Sequence, residues 1–279
     1  MPIKTILVSM NDPESAKQTL HTAVDVARRH GAHLIGLHVA GDIAVYTGYP
    51  GMAALPDLSV VFEEREKRAE EIAAVFRAAT EGEDFVSEWR YDDNRFSSAS
   101  DAVLEQCRAA DLVIMGQERP DAQSGPRALI LERTIRKSGR PVLVIPYAGV
   151  FEGLSSKALI GWSPTREAAR AAHDALPLFA PGCEAVIVTA RSKEAKSAAT
   201  ATAKELAQAY ARHGVKAEFV ERVAEDVAVG DILLNEAFER GVDLIVTGAF
   251  GHSRLYDFVI GAATTRLLES MTAPVLFSS

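Results

Sequence analysis

Cysteine is scarce in this chain. Cys107 and Cys183 are the two present, far apart and in no CxxC pair. That leaves no basis for a disulfide framework, and a reduced cytoplasmic protein with two free thiols is expected. Positive charge is in deficit: 30 Lys and Arg stand against 38 Asp and Glu, for a formal net charge of -8. Nucleic acid is gripped by clustered Lys and Arg, and no basic aromatic stripe occurs, so no nucleic-acid partner is expected. No apolar run is long enough to cross a bilayer, so no membrane partner is expected either. Met1-Pro-Ile-Lys-Thr5 leads straight into a strand-like stretch, which does not read as a signal peptide.

Chemistry-bearing motifs are also few. There is no GxSxG elbow and no GxxxxGK[ST] loop. No paired carboxylates or Ser-His-Asp set marks a catalytic centre, so no catalytic residue is assigned. His30, His33 and His38 look like a metal cluster at first. His33 and His38 are an odd number apart on a strand-like run, so they point to opposite faces. No metal site is expected.

What is present is enough apolar material for two cores. Hydrophobic residues make up 48% of 279 residues, which suits two domains of ordinary size. The chain repeats itself once. The run from Ile6 to His21 resembles the run from Ala158 to His173. Asp111-Leu-Val-Ile-Met-Gly116 resembles Asp243-Leu-Ile-Val-Thr-Gly248, and Pro141-Val-Leu resembles Pro274-Val-Leu. The first copy is the longer in its first half, where Gly41 to Ser59 has no counterpart. A single repeat of this length is a duplicated domain rather than a solenoid. The boundary near Ala148 to Gly153 divides the chain into 1–150 and 151–279.

Each copy alternates strand and helix patterns. The first reads as strand 3–8, helix 14–29, strand 33–39, helix 60–79, strand 84–90, helix 97–109, strand 111–115, helix 127–138 and strand 142–146. The second reads as strand 157–161, helix 165–179, strand 184–189, helix 193–213, strand 216–221, helix 228–240, strand 243–247, helix 263–271 and strand 275–278. Short apolar runs bounded by Gly or Pro are strand signals, while Ala16, Leu20, Ala23, Val24 and Ala27 recur at helical spacing. Such alternation predicts an α/β fold, a doubly wound parallel sheet with helices on both faces of each copy.

The segment from Gly248 to Thr265 is the most informative. It joins a strand pattern to a helix pattern and carries glycines at 248, 251 and 261. Such a turn brings backbone N–H groups and the positive end of a helix to one place, which suits an anion, above all a phosphate. An ordinary strand-to-helix connection that needs glycine for its turns is the alternative. His252, Ser253 and Arg254 lie inside the segment as candidate phosphate donors, or as polar residues on an exposed turn.

With these residues in view, the chain resembles the universal stress protein family in its tandem two-domain form. Gly248, Gly251 and Gly261 match the family's phosphate-loop spacing G-x2-G-x9-G-[S/T]. The resemblance implies five-stranded parallel sheets of order 3-2-1-4-5. It implies a site at the switch point between strands 1 and 4. There the end of strand 1, Trp162 and Ser163, would meet the base and ribose. Thr247, Gly248, Gly251, His252, Ser253, Gly261, Ala262 and Thr264 would hold the phosphates. The implied ligand is ATP or a related adenine nucleotide, with magnesium as an optional companion. The last strands of the two copies would pair antiparallel as an intramolecular pseudo-dimer, and two chains could pair again as a homodimer.

The departures matter too. Ala262 stands where the pattern has Ser or Thr. Asn11 and Ser163 stand where nucleotide-binding members place an aspartate. Trp162 could stack on a base or pack as core. The first copy has lost the loop: Arg119 takes the place of the second glycine, between Glu118 and Asp121, which would repel phosphate. Three readings follow: a nucleotide-binding stress-response regulator acting on an unidentified protein partner, a scaffold acting only through protein contacts, and a nucleotide hydrolase.

Overall fold

Asp12 starts the first helix. Its carboxylate accepts from the backbone N–H of Glu14 and Ser15, at 3.1 and 2.9 Å, and so satisfies amides that the helix itself cannot. Arg28 and Arg29 lie in the last turn of the same helix, where cations suit the dipole. Its buried side includes Ala16, Leu20, Ala23 and Ala27 at helical spacing.

The computed structural model describes residues 2–41, 58–94, 98–119, 126–153, 155–191, 198–225, 227–249 and 262–279. The first copy comprises β1 (Thr5–Ser9), α1 (Pro13–His30), β2 (His33–Val39), α2 (Leu58–Thr80), β3 (Ser87–Asp92), α3 (Ala99–Cys107), β4 (Leu112–Gly116), α4 (Pro126–Lys137) and β5 (Val142–Ile145). The second comprises β6 (Ser155–Gly161), α5 (Arg166–Asp174), a 3-10 turn (Leu176–Leu178), β7 (Phe179–Arg191), α6 (Ala198–Arg212), β8 (Lys216–Val223), α7 (Val229–Arg240), β9 (Leu244–Gly248), α8 (Ala262–Ser270) and β10 (Val275–Ser278).

The strand order is β3-β2-β1-β4-β5-β10-β9-β6-β7-β8. Each half is parallel throughout and has the order 3-2-1-4-5. The two expected sheets are halves of one ten-stranded sheet. They join where β5 and β10 pair antiparallel, with Leu276 opposite Leu143 and Phe277 opposite Val142. Residues of α1, α2, α5 and α6 pack on one face, and residues of α3, α4, α7 and α8 on the other. Each apolar layer therefore runs across both copies without a break.

The segment between the copies is held to α1. Thr22 Oγ1 donates to the Phe151 carbonyl at 2.9 Å, and Gly153 N donates to Asp25 Oδ2 at 2.6 Å. Gln18 donates to the Gly149 carbonyl as well.

Candidate functional site

In an open α/β sheet, a crevice forms where neighbouring strands send their chains to opposite sides. In the second copy this is the carboxyl end of β6 and β9, which pair with Gly161 opposite Thr247. Trp162 and Ser163 follow β6, Thr247 and Gly248 end β9, and Ala262 to Thr264 open α8. The structure thus brings six of the sequence-selected residues to one edge of the sheet. Gly251, His252, Ser253, Arg254 and Gly261 lie outside the described residues, as does most of the Gly41 to Ser59 segment.

Gly248 has a packing duty of its own. A Cβ there would lie 2.4 Å from Ala168 N and 2.6 Å from the Glu167 carbonyl carbon. The first turn of α5 therefore rests on the glycine backbone, and any side chain would push it away. Thr165 caps that turn, its hydroxyl accepting from Ala168 N at 3.3 Å. Ser163 Oγ lies 3.3 Å from Thr165 Oγ1, so the two hydroxyls share a hydrogen bond at the crevice. Burial opposes ionisation of the neighbouring Glu167. The Arg166 guanidinium, Glu167's own backbone N–H and the Thr165 hydroxyl outweigh it and hold the carboxyl below its usual range.

Trp162 is half-buried. It lies against the apolar layer beneath α5 and α6, and its indole N–H donates to Thr202 Oγ1 at 3.1 Å. Thr264 is only 4% exposed, while Ala262 is exposed. The first turn of α8 carries no acidic residue, so nothing on it offsets the positive end of its dipole. Gly230 of α7 lets α8 approach closely: a Cβ there would lie 2.8 Å from Arg266 Cβ and 3.0 Å from the Ala263 carbonyl.

Sequence reasoning missed Thr189. It follows Val188 on β7, whose carbonyl accepts from Trp162 N at 2.8 Å. Its hydroxyl is buried, with no hydrogen-bond partner among the described residues. An apolar run surrounds it in sequence, so no local pattern marks it.

The first copy differs at the matching place. A cavity of about 470 Å³ opens there, lined among others by Ser9, Asn11, Asp12, Arg68, Gln117 and Arg119. Arg119 does not stand free in solvent: its guanidinium pairs with Glu14 at 2.9 Å. Asn11 Nδ2 donates to Glu118 Oε1 at 3.4 Å. Carboxylates from Asp12, Glu14 and Glu118 thus crowd the position where a phosphate would need donors.

A larger cavity, about 680 Å³, lies at the opposite edge, by the amino ends of β6, β7 and β8. Its charges satisfy one another. Lys216 pairs with Glu184 at 3.8 Å, Arg240 pairs with Glu218, and Lys157 Nζ donates to the Arg240 carbonyl. Size alone does not make it the site, because open α/β sheets bind at the other edge.

The three histidines have separate surroundings. His38 Nδ1 lies 2.8 Å from the Met10 carbonyl, and its ring stacks on Tyr91. His33 faces Glu88, and burial lowers the pKa of His30. Among the described residues no group of three His, Cys, Asp or Glu is placed to hold a metal ion. Burial pushes the Cys107 thiol up to about 12, and burial with Asp243 pushes Cys183 up to about 11, so neither is a thiolate near neutral pH. Among the described residues no helix is long and apolar enough to cross a membrane.

The sequence profile described as the universal stress protein family matches residues 2–146 and, a second time, residues 160–278. The chain belongs to the universal stress protein family. Its fold is similar to that of a universal stress protein from Archaeoglobus fulgidus DSM 4304, at 15% identity and a TM-score of 0.72. That match covers 99% of this chain and 96% of the other. A putative universal stress protein from Pseudomonas aeruginosa UCBPP-PA14 matches at 14% identity and a TM-score of 0.58, covering 99% and 93%. A functionally unknown protein from Pseudomonas aeruginosa PAO1 matches at 16% identity and a TM-score of 0.57, covering 99% and 92%. No curated protein matches the chain. Gly248, Gly251 and Gly261 stand in the second copy, and at the matching place in the first copy Arg119 pairs with Glu14.

Proposed function

We propose that the second copy binds an adenine nucleotide, and that the first copy serves it as a structural partner. One observation carries this reading: the glycine spacing of a phosphate loop lies between β9 and α8, at the carboxyl edge of the sheet. The residues present fit a phosphate. Gly248 adds no side chain, the first-turn amides of Ala262, Ala263 and Thr264 have no intrahelical acceptor, and no carboxylate sits on that turn. Gly251, His252, Ser253 and Gly261 complete the loop in sequence. Ser163, after β6, would offer its hydroxyl toward the base and ribose. Occupancy would then change the surface offered to a protein partner, with chemistry on the nucleotide absent or slow.

Calorimetry on the full chain tests this. ATP, ADP or AMP should bind at millimolar ligand or below, with and without magnesium. Gly251→Asp should abolish binding, because a carboxylate would occupy the phosphate position. No binding of any of the three to the wild type would sink the reading.

A second reading has support of its own. Ala262 and Ser163 depart from the family's nucleotide pattern, and the Trp162 indole is already engaged by Thr202. On that reading the fold is a scaffold for protein contacts alone, and the same titrations would be flat.

A further inference from the structure

Gln117 follows β4 in the first copy, where the second copy has Ala249. Ala249 buries its methyl in the apolar layer and donates its backbone N–H to the Ser278 carbonyl at 2.8 Å, with no side-chain hydrogen bond to give. Gln117 does more. It is 4% exposed, and its side-chain amide is used at both ends. Nε2 donates to the Leu268 carbonyl at 2.7 Å, and Oε1 accepts from Tyr147 N at 3.2 Å. A donor is needed on one side and an acceptor on the other, which fixes the amide's orientation.

Leu268 lies in the last turn of α8, where helix carbonyls lack intrahelical donors. The Leu267 carbonyl finds Met271 N in its own chain segment, at 2.9 Å. The Leu268 carbonyl is met by the other copy. Because α8 runs back against its strands, its last turn reaches the edge where the first copy's strands finish. Its first turn lies at the crevice of the second copy, about 9 Å along the helix from Leu268 at 1.5 Å per residue. Near that first turn the helix is held by its own copy, through the close approach at Gly230 and the Arg266–Asp231 pair at 2.5 Å. At the far end Gln117 holds it from the other.

We propose that Gln117 is a positioning residue for the nucleotide site of the second copy, acting by capping α8 from across the junction between copies. The proposal rests on the reading of that site given above. It assigns the first copy a task that its altered loop would otherwise lack.

The test uses the full chain with two readouts: hydrogen exchange of the α8 amides and ATP affinity by calorimetry. Gln117→Leu should speed α8 exchange about tenfold and weaken ATP about fivefold, the lower end of ordinary site-to-site coupling. Gln117→Glu should behave similarly near pH 7.5 and recover toward wild type near pH 5.5. A protonated carboxyl can donate to the Leu268 carbonyl, and burial raises the pH at which it protonates. Arg170→Ala removes a different contact between copies, Arg170 to the Gly139 carbonyl at 2.6 Å. It should leave both readouts as in the wild type. Unchanged α8 exchange in both Gln117 variants would overturn the proposal. So would faster exchange with unchanged ATP affinity, which would make Gln117 a fold-holding residue only. If the wild type binds no nucleotide, the reading of the site fails and takes the ligand half of the proposal with it. The exchange measurement would still decide whether Gln117 sets α8.

Discussion

At the scale of single residues, Gly248 and Glu236 carry the sharpest expectations. Gly248→Ala would place a methyl 2.4 Å from the Ala168 nitrogen, against backbone that cannot swing aside. Overpacking of this kind costs about 1–3 kcal/mol, and denaturant unfolding would read it. Glu236 is buried between Arg222 at 2.5 Å and Arg240 at 2.9 Å. Burial works against its ionisation, but the two guanidinium groups prevail and lower its pKa. A lowered carboxyl stabilises the fold above the unfolded value of about 4.3 and loses that contribution as pH falls through the folded value. Glu236→Gln should cost about 1–3 kcal/mol at pH 7 and flatten the loss of stability as pH falls below the ordinary carboxylate range. Glycine spacing and hydroxyls such as Ser163 were legible in the sequence, because local pattern marks them. Thr189 and Gln117 were not. One matters through burial inside an apolar run, and the other through a partner far along the chain at Leu268.

At the scale of elements, the alternation of strand and helix was readable throughout, and the misplacements have causes. The pattern predicts a helix over 165–179, but α5 stops at Asp174. Pro177 has no N–H to continue it, and the chain takes a 3-10 turn before β7. The third strand is read at 84–90 and found at Ser87–Asp92. Phe85 and Val86 are strand-forming types, yet Val86 stays exposed and its carbonyl accepts from Leu34 N. The join between β5 and β10 is made by two four-residue strands, so their side chains carry much of it. Phe277 is fully buried there. Phe277→Ala should cost about 3–5 kcal/mol, measured by thermal or denaturant unfolding.

At the scale of the whole molecule, both apolar layers cross the join, so the two copies should unfold together. Among the described residues the sheet ends on β3 and β8, and both carry charge: Glu88, Arg90 and Asp92 on one, Lys216, Glu218, Glu221 and Arg222 on the other. Charged edges resist further strand pairing. The same antiparallel join has a plainer geometric result. The strands of one copy point opposite to those of the other, so the two crevices open toward opposite ends of the molecule. A partner with one flat surface can cover either crevice, but to sense both it would have to straddle the protein.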